Sequence, residues 1–452
     1  MHTESTLLTL IIQLILIIAA GRAAGALFRF LGQPQVCGEI AAGLMLGPSV
    51  FGMLFPKLHV FLFNPAASEH LNVLSQIGLV FMMFLIGLEF DFSHLHGNHR
   101  SAMAISSAGI VLPFVLGLGL GHLLYSILEI HVSHLGFVLF VATSLSITAI
   151  PTLGRIMMEF NIQRTRLGVL TITAAAMDDA AGWLLLALCS AVVQSDLRPG
   201  HFALIAVAVV GYLLFMVLIA RPLLVRWVGR MMKSSKPELS LNHLAQVLVL
   251  LFLSAAITNL IGIFSIFGAF ALGAVLYDQV EFRVAVNRRL RDFVIVFFLP
   301  IFFTYTGLHT DIGSMYTRSA WLLCGLVTLV ASIGKFGGCA LMAGLHGIRW
   351  REAFCVGTMM NTRGLMELIV LNTGYNLGII PKPVFFMLVI MAITTTYMTA
   401  PVLTLLIRGT ALQKDFQASQ FMQKRRAQFT ISRGSLPPID PGRYFPTGPT
   451  EY

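Results

Sequence analysis

Charged residues are scarce in this chain. Only 11% of its 452 residues are Asp, Glu, Lys or Arg, and 57% are hydrophobic. Soluble globular domains typically carry about 25% charged residues. The composition therefore excludes an ordinary soluble protein and predicts one large membrane domain with many spans.

Cysteine is also rare, and the spacings of metal-ligand motifs are lacking. Five cysteines lie in apolar segments without a CxxC or CxxH spacing: Cys37, Cys189, Cys324, Cys339 and Cys355. This pattern argues against a disulfide framework or a zinc site, so we interpret these residues as small buried hydrophobes. We expect no cofactor, no resident metal ion, no catalytic residue and no enzymatic activity.

Long apolar runs are what the chain has in abundance. A helix needs about 20 residues to cross the hydrocarbon core of a membrane. Thirteen spans are predicted, at about 6–29, 36–55, 69–90, 101–127, 135–158, 166–193, 200–225, 241–263, 266–280, 290–308, 317–345, 352–376 and 382–408. The first follows MHTES, which lacks the positive charge of a secretory signal, so we expect it to be retained. The predicted fold class is an all-α polytopic membrane protein.

Positive charge is distributed unevenly between the predicted loops. Loops after even-numbered spans hold four of the thirty Lys and Arg residues, namely Lys57, Arg198, Arg318 and Lys382. Lys335 and Arg363 lie deep within spans, and the other twenty-four residues lie toward the opposite ends of the spans, in the loops beyond them or in the C-terminal tail. The positive-inside rule then predicts an outer N-terminus and a cytoplasmic C-terminus. The net charge of +10 reflects topology, and we expect no nucleic-acid partner.

The chain becomes polar, basic and proline-containing from Gly409 onward, with the segments QKRRAQ and LPPIDPGRYFPTGP. We predict that residues 409–452 form a disordered cytoplasmic tail that contacts anionic lipid. Residues 1–408 are then the transmembrane domain. We expect no soluble regulatory domain of useful size.

Two predicted spans are not continuous apolar helices. The fifth contains ATSLSITAIPTLG, with hydroxyl groups ahead of Pro151, and the twelfth contains GTMMNTRGLMEL. With span 7 as the pivot, these spans occupy corresponding places in two six-span halves. Interrupted segments at matching positions of inverted halves are typical of secondary transporters, whose binding site lies where the breaks cross.

Two adjacent carboxylates, Asp178 and Asp179, lie near the middle of span 6. Successive helix residues point about 100° apart, so one can face a water-filled cavity while the other meets a neighbouring helix. Lys335 is the lysine within a span, and we predict that it pairs with one aspartate because buried charges need partners. The other carboxylate can hold a proton or, with nearby oxygens, an alkali cation.

Structural roles remain open for several of these groups. The two aspartates could simply hold helices together, although Ser, Thr and Asn usually serve that purpose. Arg363 and Glu367 are four residues apart, which allows either an ion pair that holds the broken helix or a direct role in transport. Glu39 is a second candidate partner for Arg363.

Three histidines lie close together in DFSHLHGNHR: His94, His96 and His99. Such a cluster could bind a metal ion or sense pH. No further ligand accompanies it, so we interpret the segment as a solvated cytoplasmic loop.

Several motifs, in order, resemble those of the cation:proton antiporter 2 family. They are GEIAAGLMLGPS, ATSLSITAIPTLGRIM, AAAMDDAAGWLLLAL, GTMMNTRGLMELIVLNTG and MAITTTYMTAPVL. The resemblance extends from about Gly38 to Leu405 and is strongest for the plant cation/H⁺ exchangers and their bacterial relatives.

The resemblance implies a dimer of thirteen-helix protomers built on inverted repeats. Spans 1–3 and 8–10 would form a dimerising panel, spans 4–6 and 11–13 a moving core, and span 7 a linker. Asp179 matches the main ion-binding aspartate and Asp178 its neighbour. Thr143 and Ser144 match oxygen donors, to which we add Thr148 of the same break, and Lys335 matches the lysine of electrogenic members. These matches imply exchange of Na⁺, or K⁺, for H⁺ by elevator-type alternating access.

Comparison with family branches suggests a cellular setting. The chain lacks the nucleotide-sensing domain of potassium efflux systems and the long tail of plant exchangers, so we expect a constitutive exchanger of a bacterial inner membrane. Two other classes are alternatives. An intramembrane aspartyl protease needs a GxGD motif, which does not occur in the sequence. A channel, potassium efflux system or exporter of another substrate on the same fold stays open.

Overall fold

The computed structural model describes residues 2–31, 33, 35–63, 65–89, 99–194, 199–232, 239–311, 313, 315 and 317–419. These residues form helices and connecting loops, with no β-strand among them. Within these ranges, nine helices are long and apolar enough to cross a membrane, and a bent helix pair raises that number to ten. The prediction of an all-α polytopic membrane protein is therefore confirmed in this coarse form.

Six of the long helices are continuous: α1 (His2–Phe30), α4 (Pro65–Glu89), α5 (His99–Ile127), α8 (Arg166–Gln194), α11 (Leu241–Ile261) and α19 (Lys382–Leu406). Three others consist of two α-helices joined by a π-helical turn: α9 (Pro199–Phe215) with α10 (Arg221–Met232), α13 (Val280–Phe293) with α14 (Leu299–Leu308), and α15 (Arg318–Ser332) with α16 (Gly338–Leu345). The π-helical turn of the last pair, Ile333–Gly337, contains Lys335.

The shorter helices complete the chain: α2 (Gln35–Leu46), α3 (Pro56–Leu62), α6 (His134–Ser146), α7 (Ile150–Glu159), α12 (Ser265–Ala274), α17 (Trp350–Met360), α18 (Leu365–Asn376) and α20 (Gln413–Gln417). Helices α17 and α18 are the bent pair, with an angle of 42° between them. Every predicted span falls on helix, but spans 2, 5 and 9 correspond to shorter apolar segments. The count of thirteen crossings stays a prediction.

Helix packing divides most of the bundle into two groups. Helices α1, α2, α4, α11, α12 and α14 pack on one another, as do α5–α8 and α15–α19, and α2 contacts α19 between the groups. In the first group Gly43 of α2 lies against the backbone of Phe303, and Gly307 of α14 lies against the backbone of Gly43. A Cβ atom at either glycine would overlap a carbonyl group, so these positions allow the helices to approach closely.

Two helical segments have largely exposed apolar surfaces. In the most apolar 18-residue stretch of Thr6–Phe30, only 17% of the residues are buried, and the corresponding share is 11% in Val207–Met232. In Lys382–Leu406 it is 61%. Within a bilayer such surfaces are stable against lipid. Helix α1 and the α9–α10 pair are therefore the least buried of the nine long helices described within one protomer.

The first part of the expected tail is packed against the bundle. Leu412 and Phe416 are buried, and the Phe416 ring lies 4.9 Å from that of Phe160 at the end of α7. The backbone amide of Ala411 donates to Glu352 Oε1 of α17 at 3.2 Å. The composition of residues 409–419 predicts a disordered tail. Composition does not take into account that Leu412 and Phe416 are four residues apart and can pack together on one side of a short helix. Residues 420–452 lie outside the described residues.

Candidate functional site

The two interrupted spans meet in the middle of the second helix group. Residues 147–149 separate α6 from α7, and residues 361–364 separate α17 from α18. The amide of Ala149 donates to the carbonyl of Thr362 at 3.2 Å, and the hydroxyl of Thr148 donates to that of Met360 at 3.1 Å. Each break thus supplies partners for backbone groups that would otherwise be costly to bury.

Each break has a local cause in the sequence. Pro151 is the second residue of α7, where its missing N–H costs nothing, whereas a helix continued from α6 would bring its ring against the carbonyl of Ile147. Ile147 and Ala149 accordingly have extended backbone conformations. Gly364 has φ 157° and ψ −132°, a conformation that is essentially restricted to glycine. The hydroxyl of Thr152 occupies the space that a Cβ at Gly364 would need.

Two buried cationic side chains donate hydrogen bonds to the free carbonyl groups at the C-terminal end of α6. Arg363 Nη1 donates to the carbonyls of Ser144 and Ile147, each at 2.7 Å, and its Nη2 donates to that of Leu145. Lys335 Nζ donates to the carbonyl of Ser146. The last carbonyls of a helix lack intrahelical partners and carry partial negative charge, so buried cations are well placed there.

Lys335 forms an ion pair with Asp178. Its Nζ lies 2.7 Å from Asp178 Oδ2, and both side chains are fully buried. Gly109 of α5 borders the pair: a Cβ built there would lie 3.8 Å from both Lys335 Nζ and Asp178 Oδ1, and would collide with Cys339 Sγ at 2.6 Å. The lysine–aspartate contact expected from the sequence is thus present, between residues 157 positions apart.

Asp179 is in a different situation from its neighbour. It is 2% exposed, and neither carboxylate oxygen has a hydrogen-bond partner among the described groups. The amide of Ile150, in the first turn of α7, interacts with this carboxylate but lies outside normal hydrogen-bond geometry. Asp179 therefore faces the positive end of a half-helix, which favours an anion. A buried carboxylate with free oxygens can take up a proton or coordinate a cation.

The predicted oxygen donors of the fifth span have diverse contacts. The hydroxyl of Thr143 shares a hydrogen bond with Cys189 Sγ of α8 at 3.1 Å, and that of Thr148 is bonded to Met360. Other buried side-chain oxygens near the two breaks also have no described partner, among them Ser144 Oγ, Thr152 Oγ1 and Asn361 Oδ1. These groups belong to the breaks or their flanking turns, so this region has oxygen atoms to offer a cation.

Arg363 and Glu367 form the second buried ion pair, with Nη1 and Oε2 2.8 Å apart. Glu367 lies in the first turn of α18, so the pair bridges the break and the helix that follows it. Glu39 instead accepts a hydrogen bond from Gln35 Nε2 at 2.9 Å. Among the described side chains no ion pair joins Glu39 to Arg363, and of the two candidate partners suggested by the sequence it is Glu367 that contacts Arg363.

Sequence reasoning assigns no role to the threonines of α19. Thr396 Oγ1 accepts from the Arg363 amide at 3.1 Å and lies 2.8 Å from the Arg363 carbonyl, while the hydroxyls of Thr362 and Thr399 are 3.1 Å apart. The sequence feature that could have indicated this role is the cluster of threonines in MAITTTYMTAPVL. Gly109 carries no signal, since its role depends on its neighbours in space.

The histidine cluster cannot be placed in the same way. His94 and His96 lie outside the described residues, as does the side chain of His99. In the described part of the chain, no three His, Cys, Asp or Glu side chains come together as a metal site.

Comparison with known proteins identifies the family of this chain. Residues 14–408 match the family described as "Sodium/hydrogen exchanger, transmembrane". The chain belongs to this exchanger family. The family's match covers both breaks and both ion pairs, and the resemblance to cation:proton antiporters is confirmed.

Two relatives and one solved structure illustrate the family. The Na(+)/H(+) antiporter NhaS4 of Synechocystis sp. is 40% identical over 402 residues, which are 88% of this chain and 97% of that protein. Cation/H(+) antiporter 20 of Arabidopsis thaliana is 36% identical, and the match covers 91% of this chain but only half of the plant protein. The sodium proton antiporter MjNhaP1 from Methanocaldococcus jannaschii superposes with a TM-score of 0.62 at 14% identity, over 91% of this chain and 99% of the other, and shares its fold.

Proposed function

We propose that this exchanger-family chain is a secondary active antiporter, and not an enzyme, which exchanges a monovalent cation for H⁺. The observation that carries the proposal is Asp179, a buried carboxylate with two unpartnered oxygens beside the crossing of two broken spans. Proton and cation compete for one anionic group. Because only one of them can be held at a time, alternate exposure of Asp179 to the two sides produces exchange.

Na⁺ is the favoured cation, with K⁺ as the alternative. The printed name of the cyanobacterial relative, a Na(+)/H(+) antiporter, supports Na⁺. Thr143, Ser144 and Thr148 are the proposed oxygen donors around Asp179. The hydroxyl of Ser144 has no described partner. To bind a cation, the hydroxyl of Thr143 would have to give up its hydrogen bond with Cys189 Sγ, and that of Thr148 its hydrogen bond to the Met360 carbonyl.

The proposed architecture is a dimer of thirteen-span protomers in a bacterial inner membrane. The two packing groups support a division into a panel (spans 1–3 and 8–10) and a core (spans 4–6 and 11–13), with span 7 as linker. Sliding of the core against the panel is the proposed elevator movement. The contacts of Phe416 with Phe160 and of Ala411 with Glu352 support the proposed topology, in which these segments share the cytoplasmic side.

Exchange is proposed to be electrogenic, because Asp178 already has a partner in Lys335. If that pair separates in one half-cycle and closes in the other, the charge that crosses the membrane differs between the half-cycles. Moving one elementary charge through the membrane potential involves about 2.3 kcal/mol per 100 mV. The rate of electroneutral exchange would not change with an imposed membrane potential.

Transport in everted vesicles tests the proposal. Vesicles that contain the protein are acidified and loaded with a ΔpH-sensitive dye, and Li⁺, Na⁺, K⁺ and Rb⁺ salts are added in turn. We expect Na⁺ to dissipate ΔpH strongly, and Asp179→Asn vesicles to give no response above vesicles without the protein. No response to any cation by the parent would contradict antiport. Cation flux that persists without coupling to H⁺ would instead support a channel or efflux system.

A further inference from the structure

A row of side-chain contacts joins α14 to α18 near the ends of spans 10 and 12. Asn372 Nδ2 donates to Thr306 Oγ1 at 2.7 Å, Tyr305 Oη donates to Asn376 Oδ1 at 3.2 Å, and the rings of His309 and Tyr375 are 4.7 Å apart. We call these three contacts the outer ladder. Asn372 and Asn376 are one helical turn apart, as are Tyr305 and His309, so the contacts follow facing sides of the two helices.

The outer ladder connects the two packing groups. Helix α14 packs on α2 and α4 in the first group, whereas α18 packs on α6 and α19 in the second. The ladder consists of polar and aromatic side-chain contacts, which can be exchanged for water at the end of a span more readily than a continuous apolar interface. A contact of this kind can break and re-form when the two groups move relative to each other.

His309 is the titratable group of the ladder that ionises near neutral pH. It follows Leu308, the last residue of the span. Its Nδ1 lies 2.8 Å from the Tyr305 carbonyl, to which it donates, and its ring packs between those of Tyr305 and Tyr375, at 4.5 and 4.7 Å. Among the described residues, Lys382 of α19 is the charged group that acts on it, and Asp311 lies two residues further along its own segment.

Burial and the nearby Lys382 charge lower the pKa of His309, partly offset by its bond to Tyr305. The ladder therefore prefers the neutral imidazole. By linkage, a proton binds less tightly while the ladder is closed than after it opens. The ladder should be fully closed above the ordinary histidine value of about 6.5 and should weaken as the pH falls below it.

We propose that His309 is a second proton-binding site, distinct from Asp179, and that its protonation opens the outer ladder and frees the core to move against the panel. This inference rests on the proposed antiport function only for its consequence, which is that pH on the side of His309 regulates exchange. The opening itself is a property of the contacts and can be measured without transport.

Distances between spin labels on the two groups test the inference. The labels are attached through Leu58→Cys, on α3, and Ser319→Cys, at the start of α15; both positions are exposed and away from the ladder. The five native cysteines are buried, and a chain without added cysteines serves as the labelling blank. All chains carry Asp179→Asn, which removes titration of the transport site. Distances are measured in lipid nanodiscs at pH 8 and pH 5.

At pH 8 one distance between the labels should dominate. Between pH 8 and pH 5 we expect the ratio of molecules with this distance to molecules with any other distance to fall about threefold or more. His309→Gln, which keeps a donor but never ionises in this range, should remove that response. His131→Gln is the matched control, because His131 is exposed on the loop before α6 and outside the ladder; it should respond like the parent.

Tyr375→Leu tests the ladder without changing its titratable group. It removes the ring that faces His309 and should hold the ladder partly open at both pH values. A parent whose label distances are the same at pH 8 and pH 5, or a His309→Gln variant that responds like the parent, overturns the inference. If the label distances respond as expected but the unlabelled chain that retains Asp179 shows no exchange in vesicles, the ladder stands and the proposed function fails.

Discussion

Lys335 and Arg363 are two buried cations that serve the same helix end in different ways. Arg363 makes three bonds to carbonyls at the end of α6 and pairs with Glu367, four residues along its own segment. Lys335 makes one bond to that end and pairs with Asp178 on another span. The planar guanidinium fixes several acceptors at once, whereas the ammonium group is a single point of charge on a flexible stem.

The difference assigns the two cations separate tasks. Arg363 stabilises the crossing itself, since its removal would leave several carbonyls and a carboxylate without partners. Lys335 can release Asp178 while most bonds at the end of α6 remain. Neither cation is paired with Asp179, whose oxygens stay available. Substitutions at and around the two cations test whether this division of tasks holds.

The largest effect is expected for the carboxylate that neither cation pairs with. Asp179→Asn should reduce cation-driven ΔpH dissipation to background, because an amide can neither release a proton nor bring negative charge to a cation. The variant should remain folded, as judged by its elution as a single oligomer in size-exclusion chromatography. Near-normal exchange by a folded Asp179→Asn protein would remove this residue from the mechanism.

Loss of the guanidinium should damage the fold most. Arg363→Gln should lower the free energy of unfolding by about 3–5 kcal/mol, the usual cost of stranding a buried partner. A thermal melt in detergent measures it. Arg363→Lys is the control: it keeps the charge but loses the fork, so its melting temperature should lie between those of Arg363→Gln and the parent. Parent-like melting of Arg363→Gln would show that the crossing does not depend on this side chain.

Loss of the ammonium group should affect charge movement as well as stability. Lys335→Gln should destabilise the protein, because Asp178 is left without a partner and takes up a proton. We expect some exchange to persist but with much of its voltage dependence lost, measured in proteoliposomes with Na⁺ as substrate and an imposed valinomycin–K⁺ potential. If the parent itself ignores that potential, the electrogenic assignment is wrong.

The double variant separates pairing from mere proximity. Asp178→Asn/Lys335→Gln leaves neither charge buried alone, so it should recover part of the stability lost in Lys335→Gln. Melts of the two single variants, the double variant and the parent complete the cycle. A double variant that melts no higher than Lys335→Gln would mean that the two residues do not stabilise each other.

The smallest change probes access to the crossing. Thr148→Cys, in a background without the native cysteines, removes one hydroxyl bond to Met360. We expect membrane-impermeant thiol reagents to label the new thiol from either side, depending on the ions present, because a transported ion must reach this depth through water. Protection from both sides under all ionic conditions would argue against a water-accessible site here.

Features that depend on neighbours along the chain could be predicted from the amino-acid sequence. Apolar runs located the helices, and Pro151 and the NTRG segment located the two breaks, because span length and backbone restrictions are local properties. Two adjacent acids in an apolar span indicated a functional site, since buried charges are costly. The resemblance of several ordered motifs added the family.

Which of these groups meet could be read only from the folded chain. Asp178 and Lys335 are 157 residues apart, and Thr148 and Met360 are 212 apart. Either aspartate could have partnered Lys335, and only the packing selected Asp178. For Arg363 the four-residue spacing already offered Glu367, and the folded chain decided between Glu367 and Glu39. The contact of His309 with Tyr375 likewise depends on helix neighbours. Spacing along one helix does not encode such neighbours, because each arises from the way separate helices pack.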